Sequence, residues 1–157
     1  MNGNEVLREQ LLQLLRGRNA HLSFEDAVSS FPPESINTKP PNVLYTPWHL
    51  VEHIRIAQWD ILEFMRDPEH ISPKWPEGYW PPPDEVTNES GWKRSIESFG
   101  TDLKDLEAMV QDDEIDLMAE LPHAPGYTYL REILLVADHN AYHIGEFSIL
   151  RQIMGTW

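Results

Sequence analysis

Apolar residues recur every three or four positions in four long stretches of the chain, which is the spacing of an amphipathic helix. The stretches cover residues 4–15, 47–66, 90–111 and 129–154. Residue types that favour helix ends lie at their boundaries: Thr46 and Pro47 suit the start of the second stretch, and Gly155 suits the end of the fourth. The pattern therefore predicts four long helices.

Two further segments complete this picture. A shorter helix is predicted within SFEDAVSSF, where Ser23 and Asp26 have the spacing of a capping box. The second and third long helices are joined by EHISPKWPEGYWPPPDEVTN, a linker of 20 residues with five prolines. A connection of this length can span a whole helix, so the two helices that it joins can run parallel. No strand-like alternation is found, and we expect an all-α four-helix bundle with a long crossover between helices 2 and 3.

Composition excludes several classes of function. The 157 residues include 26 acidic and 12 basic side chains, for a formal net charge of −14, so we expect neither a nucleic-acid partner nor an anionic membrane partner. Cysteine is absent, which excludes disulfides and thiolate ligands. The N-terminal residues lack a signal segment and no apolar run reaches about 18 residues, from which we expect a cytoplasmic protein.

Histidines form two pairs with four-residue spacing, where chance would give about 0.3 such pairs. His49 and His53 lie on the second long helix, and His139 and His143 lie in the stretch DHNAYHIGEF of the fourth. Residues four apart stand about 6 Å apart on one helix face, so both rings of a pair can bind one ion. The alternative is that these histidines are hydrogen-bonded core residues.

The apolar face of the fourth helix favours the metal interpretation for its pair. His139 and His143 share that face with Val136 and Leu150, and burying two polar rings without a common partner would be costly. The other histidines fall in loop-like sequence and are expected at the surface: His21, His70 and His123.

The segments TPWHLVEHI and DHNAYHIGEFSILRQIMG, together with the helix order and the long second connection, resemble the DinB/YfiT-like superfamily of small bacterial four-helix proteins. The resemblance implies a single DinB-like domain over residues 1–157 and a homodimer. It also implies three metal ligands, His53, His139 and His143, and a small residue, Gly145, that allows close approach of a neighbouring helix. The family includes thiol-dependent transferases and isomerases, so the resemblance does not fix the reaction.

Depth in the bundle also separates the two histidines of the second long helix. His49 is the third residue after Thr46, where we expect the helix end to be frayed and close to solvent. His53 lies one turn deeper, so we expect it to be the ligand and His49 to pack beside the site or in its mouth.

Three neutral imidazoles would leave a divalent ion its full charge and an open position, where a water or a substrate thiol would be acidified. Zinc is the first candidate for that ion, and nickel or iron also suits the ligands. We therefore predict one divalent ion per chain and a metal-dependent transferase or hydrolase acting on a small molecule, with a low-molecular-weight thiol as a candidate cosubstrate. The alternative is a non-catalytic bundle that binds a metal or a small ligand.

Two carboxylates are candidates for supporting roles. Glu146 and Asp60 follow the histidines on their helix faces, so either can accept an imidazole N–H or carry a proton. Glu146 is the candidate catalytic residue, and the alternative for both is an exposed carboxylate. Asp138 and Asn140 flank His139 and are expected to be caps or surface residues.

A second zinc motif overlaps the first histidine pair. The residues HLVEH match H-x-x-E-H, in which Glu52 would be the general base of a zinc hydrolase. Because Glu52 directly precedes His53, however, its side chain is expected to point about 100° away around the helix.

The linker between the second and third long helices carries three aromatic residues, Trp75, Tyr79 and Trp80. We interpret them as additional core across the open end of the bundle. The alternative is that they wall the metal cleft or face a partner subunit.

Overall fold

The computed structural model of the protein describes residues 3–157. The helices and strands, in chain order, are α1 (Gly3–Arg16), α2 (Phe24–Val28), α3 (Pro47–Arg66), α4 (Glu89–Gln111), β1 (Glu120–Leu121), β2 (Ala124–Thr128) and α5 (Tyr129–Met154). Single turns of 3-10 helix occur at Pro33–Ser35 and Glu77–Tyr79. The four long helices confirm the predicted all-α bundle. The antiparallel hairpin of β1 and β2 was not predicted, because a strand of two residues carries no readable alternation.

The start of α3 shows why the helix begins at Pro47. The Thr46 hydroxyl accepts a hydrogen bond from the backbone N–H of His49 at 3.1 Å. The His49 ring returns the contact, because its Nδ1 accepts from the Thr46 N–H at 3.3 Å. A histidine therefore takes the place that glutamate or glutamine has in most capping boxes.

The direction of α4 relative to α3 follows from side-chain contacts along their length. Trp48 near the start of α3 donates to Ser95 near the start of α4, and Arg66 at the end of α3 binds Asp105 further along α4. The residue numbers of the contacts increase in the same direction along both helices, so the two helices run parallel. The linker over residues 67–88 is therefore the predicted crossover.

Two buried apolar clusters fill the bundle, one toward each end. The first cluster ends at Ile54 on α3 and Ile144 on α5. The second cluster begins at Leu62 on α3 and Ala137 on α5. Three buried polar residues lie between these boundaries, Gln58 and Asp60 on α3 and Asn140 on α5. The bundle therefore has a polar layer at its middle.

Within residues 3–157, no helix is both long enough and apolar enough to cross a bilayer.

Candidate metal centre

The three predicted ligands lie together between α3 and α5. Nε2 of His53 is 3.1 Å from Nε2 of His143 and 3.2 Å from Nε2 of His139. These are the residues whose ligand atoms form a group that could hold a metal ion, with all of those atoms within 4.8 Å of one another. The four-residue spacing places His139 and His143 on one face of α5, and the antiparallel packing of α3 brings His53 opposite them.

The outer nitrogens of two rings determine their tautomers. Nδ1 of His53 is 2.9 Å from the backbone carbonyl of Tyr79, and Nδ1 of His143 is 2.5 Å from Oε2 of Glu146. A carbonyl and a carboxylate only accept, so each Nδ1 carries a proton, and in the neutral form of each ring Nε2 presents a lone pair. Two lone pairs that face each other at 3.1 Å repel unless a cation lies between them. The donor set therefore fits a metal ion.

Burial keeps the imidazoles in the form that binds metals. It lowers the pKa of His53, and it lowers the pKa of His139 to about 4, with the neighbouring His143 acting in the same direction on both. The rings of His53 and His139 are therefore neutral at pH 7, as ligation requires.

Glu146 connects the histidine cluster to the loop that precedes α3. Its Oε2 accepts from His143, and its Oε1 accepts from the Tyr45 hydroxyl in a short hydrogen bond. Partial burial alone would raise the pKa of Glu146, but the hydrogen bonds from His143 and Tyr45 outweigh it and hold the pKa below its ordinary value. Glu146 is thus an ionised, partly buried acceptor rather than a freely exposed carboxylate.

Trp80 closes one side of the cluster. Its ring stacks on the ring of His53, with centroids 3.9 Å apart and planes 5° from parallel. It also packs against the first apolar cluster, so it belongs both to the core and to the wall of the cleft. Trp75 is instead 69 % exposed, and its ring lies beside that of Tyr79.

Asp60 supports the site at one remove. Its two oxygens accept from the Tyr79 hydroxyl at 2.5 Å and from His70 at 2.7 Å. The residue that accepts from His53 is Tyr79, through its backbone carbonyl, so Asp60 holds that carbonyl in place and is not itself the acceptor. The expected surface position of His70 is wrong, because the contact with Asp60 buries its ring to 8 % exposure.

The other expected surface histidines are partly buried as well. His21 lies 2.7 Å from the backbone carbonyl of Leu22, and His123 lies 2.7 Å from the backbone carbonyl of Phe64. The partner of each ring is thus a backbone carbonyl, and no residue type in the sequence identifies such a partner. Neither residue belongs to the group of histidines that could hold a metal ion.

His49 lies outside the cluster, but the reason expected for this is wrong. Its ring is 2 % exposed, so the helix end is not close to solvent. Nδ1 completes the capping box with Thr46, and Nε2 lies 2.8 Å from the backbone carbonyl of Glu85 in the linker. Both ring nitrogens are therefore occupied by structural contacts.

Glu52 does not take the position that the H-x-x-E-H motif requires. Its carboxylate forms a bidentate ion pair with Arg55, at 2.8 Å and 2.9 Å. As the helical geometry predicts, the side chain points away from the three histidines.

Three further predictions concern residues close to the ligands on α5. Asp138 is exposed, as expected. The surface position expected for Asn140 is wrong, because Asn140 is 5 % exposed and its amide donates to Gln58 at 2.9 Å. Gly145 is exposed, and a β-carbon there would meet no atom within 4 Å, so it mediates no close helix approach within this chain.

Comparison with known proteins adds one match. The family model described as the DinB superfamily matches residues 7–147, a segment that contains all three histidines of the cluster. No curated protein and no solved structure matches the chain.

Proposed function

The chain belongs to the DinB superfamily, and on that premise we propose that it binds one divalent ion through His53, His139 and His143 and uses the ion in a transferase or hydrolase reaction on a small molecule. One observation carries the metal part of this proposal. The acceptors at Tyr79 and Glu146 turn the Nε2 lone pairs of His53 and His143 toward each other. A purely structural histidine pair would gain more from sharing a proton between the rings.

The supporting residues orient the ligands. Glu146 holds the ring of His143, the Tyr79 carbonyl holds the ring of His53, and Trp80 covers the outer face of that ring. Outer contacts of this kind fix the direction of the ring and raise its basicity as a ligand. A catalytic role of Glu146 stays a prediction, and its ionised state suits accepting a proton rather than donating one.

The number of protein ligands, three, favours a catalytic metal site over a structural one. Structural zinc sites have four protein ligands, whereas catalytic sites have three and keep a position open. His139 and His143 are only partly buried, so solvent can reach the cluster. In that open position a divalent ion supplies Lewis acidity, which favours the ionised form of a water or a thiol. Zinc is the first candidate, and nickel or ferrous iron also suits three imidazoles.

A thiol nucleophile has to come from outside the chain. Cysteine is absent, so a thiol-dependent reaction would need a low-molecular-weight thiol as a second substrate. We propose such a thiol, or water, as the attacking group and a small electrophile or ester as its target.

Metal binding is tested first, by titrating zinc against a chromophoric chelator. We expect about one ion per chain, and a loss of binding in the double variant His139→Ala/His143→Ala. His123→Ala is the matched control, because it removes a partly buried histidine outside the cluster. A wild-type protein without measurable affinity, or a double variant with wild-type affinity, would overturn the proposal.

Catalysis is tested separately on the metal-loaded protein. Electrophile–thiol pairs and small esters are offered with and without the ion, and turnover that disappears with the ion supports the transferase or hydrolase. Metal binding with no turnover across these substrates would favour the alternative, a non-catalytic bundle that binds a metal or small ligand.

A further inference from the structure

The third ligand, His139, has an outer nitrogen whose partner is not obvious. Tyr79 and Glu146 serve the outer nitrogens of the other two rings, but Nδ1 of His139 is buried without a hydrogen-bond partner among residues 3–157. The same is true of Oδ1 of Asn140, the next residue along the helix. A buried donor or acceptor left unpaired costs about 1–3 kcal/mol. The two orphan atoms belong to adjacent residues whose side chains interact, and a protonated Nδ1 is the chemical complement of the amide oxygen.

The direction of the Asn140 amide is fixed from the opposite side of the bundle. The backbone carbonyl of Phe99 on α4 accepts from Nε2 of Gln58 at 2.9 Å. Oε1 of Gln58 in turn accepts from Nδ2 of Asn140 at 2.9 Å. Because a backbone carbonyl can only accept, each amide in this chain has a single orientation. The oxygen of Asn140 is what remains at the end, and it is an acceptor.

The position of these amides argues against a purely stabilising role. Gln58 is 1 % exposed and Asn140 is 5 % exposed, and they interrupt the packing between the two apolar clusters. Two apolar residues of similar shape would fill this layer without an unpaired oxygen. The layer lies at the level of the histidine cluster, since Asn140 directly follows His139.

We propose that Asn140 is a positioning residue for the metal centre, whose Oδ1 accepts the Nδ1 proton of His139 in the metal-loaded protein, and that Gln58 and the Phe99 carbonyl set the orientation of its amide. All three rings then direct a lone pair from Nε2 toward the same point. This inference rests on the proposed metal site. The interaction with the Asn140 side chain raises the pKa of His139 against the larger effect of burial, as a hydrogen-bond acceptor would.

The proton on Nδ1 can be observed directly in the zinc-loaded wild-type protein by proton–nitrogen correlation spectra of the histidine rings. We expect an Nδ1 proton on His139 that exchanges slowly with water, as for His53 and His143. In Asn140→Leu, only the His139 proton should exchange fast, and zinc affinity should fall by about 10- to 100-fold. Asn140→Asp keeps an oxygen acceptor and should restore both the slow exchange and most of the affinity.

Two further variants separate positioning from general stability. Gln58→Met removes the group that fixes the amide and should weaken zinc binding less than Asn140→Leu does. Ser95→Ala removes another buried side-chain hydrogen bond, the one from Trp48, and should leave zinc affinity unchanged.

The outcomes distinguish this inference from the proposed function. A wild-type protein that does not bind zinc would refute the metal site itself. A wild-type protein that binds zinc but shows rapid exchange of the His139 proton would overturn the role of Asn140 and leave the metal site standing. Wild-type affinity in Asn140→Leu, or an Asn140→Asp variant that behaves like Asn140→Leu, would overturn it as well.

Discussion

His49 and His53 lie one turn apart on α3, and their neighbours give them different tasks. Both ring nitrogens of His49 are occupied, one by the backbone of Thr46 and the other by the carbonyl of Glu85. In His53, only Nδ1 is hydrogen-bonded to a backbone carbonyl, and Nε2 is directed toward the rings on α5. An imidazole can serve as a ligand only through a nitrogen that is free of other contacts, which separates the two residues more clearly than their depth does.

Alanine substitutions at these two positions should therefore affect different properties. We expect His53→Ala to weaken metal binding by several kcal/mol, since it removes one of three ligands. His49→Ala should leave metal affinity nearly unchanged and lower the free energy of unfolding by about 1–2 kcal/mol, through the lost cap and hydrogen bond. Zinc competition and urea denaturation of the metal-free protein measure the two effects. Loss of metal from His49→Ala with retention in His53→Ala would show that the ligand assignment is wrong.

Acid should destabilise the metal-free protein through His139. Its pKa is lowered from 6.5 to about 4, mainly by burial, so between these values the unfolded chain binds more protons than the native state. Stability rises with pH where the unfolded state binds more protons, so it is lost as the pH falls through this window. We expect a loss on the order of 1–3 kcal/mol, measured by urea denaturation in steps from neutral pH to about pH 4. His139→Gln should flatten the dependence, and equal slopes in the two proteins would contradict this account.

At the scale of elements, the linker over residues 67–88 contributes contacts that shape the site. It brings the Tyr79 carbonyl and the Trp80 ring to His53, and it brings the Glu85 carbonyl to His49. Asp60 on α3 anchors it through the hydroxyl of Tyr79. The linker is therefore an ordered cover, and one buried carboxylate is among the groups that hold it.

Asp60→Ala should loosen this cover without unfolding the bundle. We expect faster amide hydrogen exchange across residues 70–85 and a moderate loss of metal affinity, smaller than that of His53→Ala, because the Tyr79 carbonyl is then held less firmly. Asp105→Ala is the matched control, since it removes an exposed carboxylate that pairs with Arg66 at the end of α3. Unchanged exchange in the linker of Asp60→Ala would show that Asp60 does not anchor it.

Elements with strong local signals were predictable, and contacts between distant segments were not. The expected range 4–15 differs from Gly3–Arg16 by one residue at each end, and 90–111 differs from Glu89–Gln111 by one residue at its start, because caps and helical periodicity encode these boundaries. The three histidines were predictable for the same reason, together with the family resemblance.

The acceptors around the site carried far less signal. The Tyr79 carbonyl is a backbone group, so no residue type identifies it, and its contact joins positions 26 residues apart. The buried layer of Gln58 and Asn140 was readable only as two polar residues on helices, and polar residues on helices are usually exposed. The remaining contacts around the site depend on the path that the proline-rich linker takes over the bundle.

On the scale of the whole molecule, α5 presents an apolar face to solvent. Leu135, Tyr142 and Ile149 are spaced seven residues apart and are 40 %, 73 % and 55 % exposed, and Ile153 follows one turn later at 54 %. Residues seven apart share one side of a helix. We propose this face as the contact of a homodimer, with Gly145 on the same stretch allowing close approach.

Light scattering at micromolar concentration should give twice the mass of the 18.3 kDa chain. The net charge of −14 opposes association, so the dimer should strengthen with added salt. Ile149→Glu should yield monomers, whereas Ile71→Glu, which places the same charge at an 87 % exposed linker position, should not. A wild-type mass near 18.3 kDa would refute the dimer.

The stack between Trp80 and His53 makes one of the six tryptophans an optical reporter. An imidazole in face-to-face contact shortens the excited-state lifetime of an indole, and it does so more strongly once the imidazole is protonated. Trp80 should therefore emit weakly, and its brightness should follow the charge state of His53. A paramagnetic ion such as cupric copper or nickel at the cluster should quench it further, whereas zinc should not. The difference spectrum between Trp80→Phe and the wild type isolates this emission.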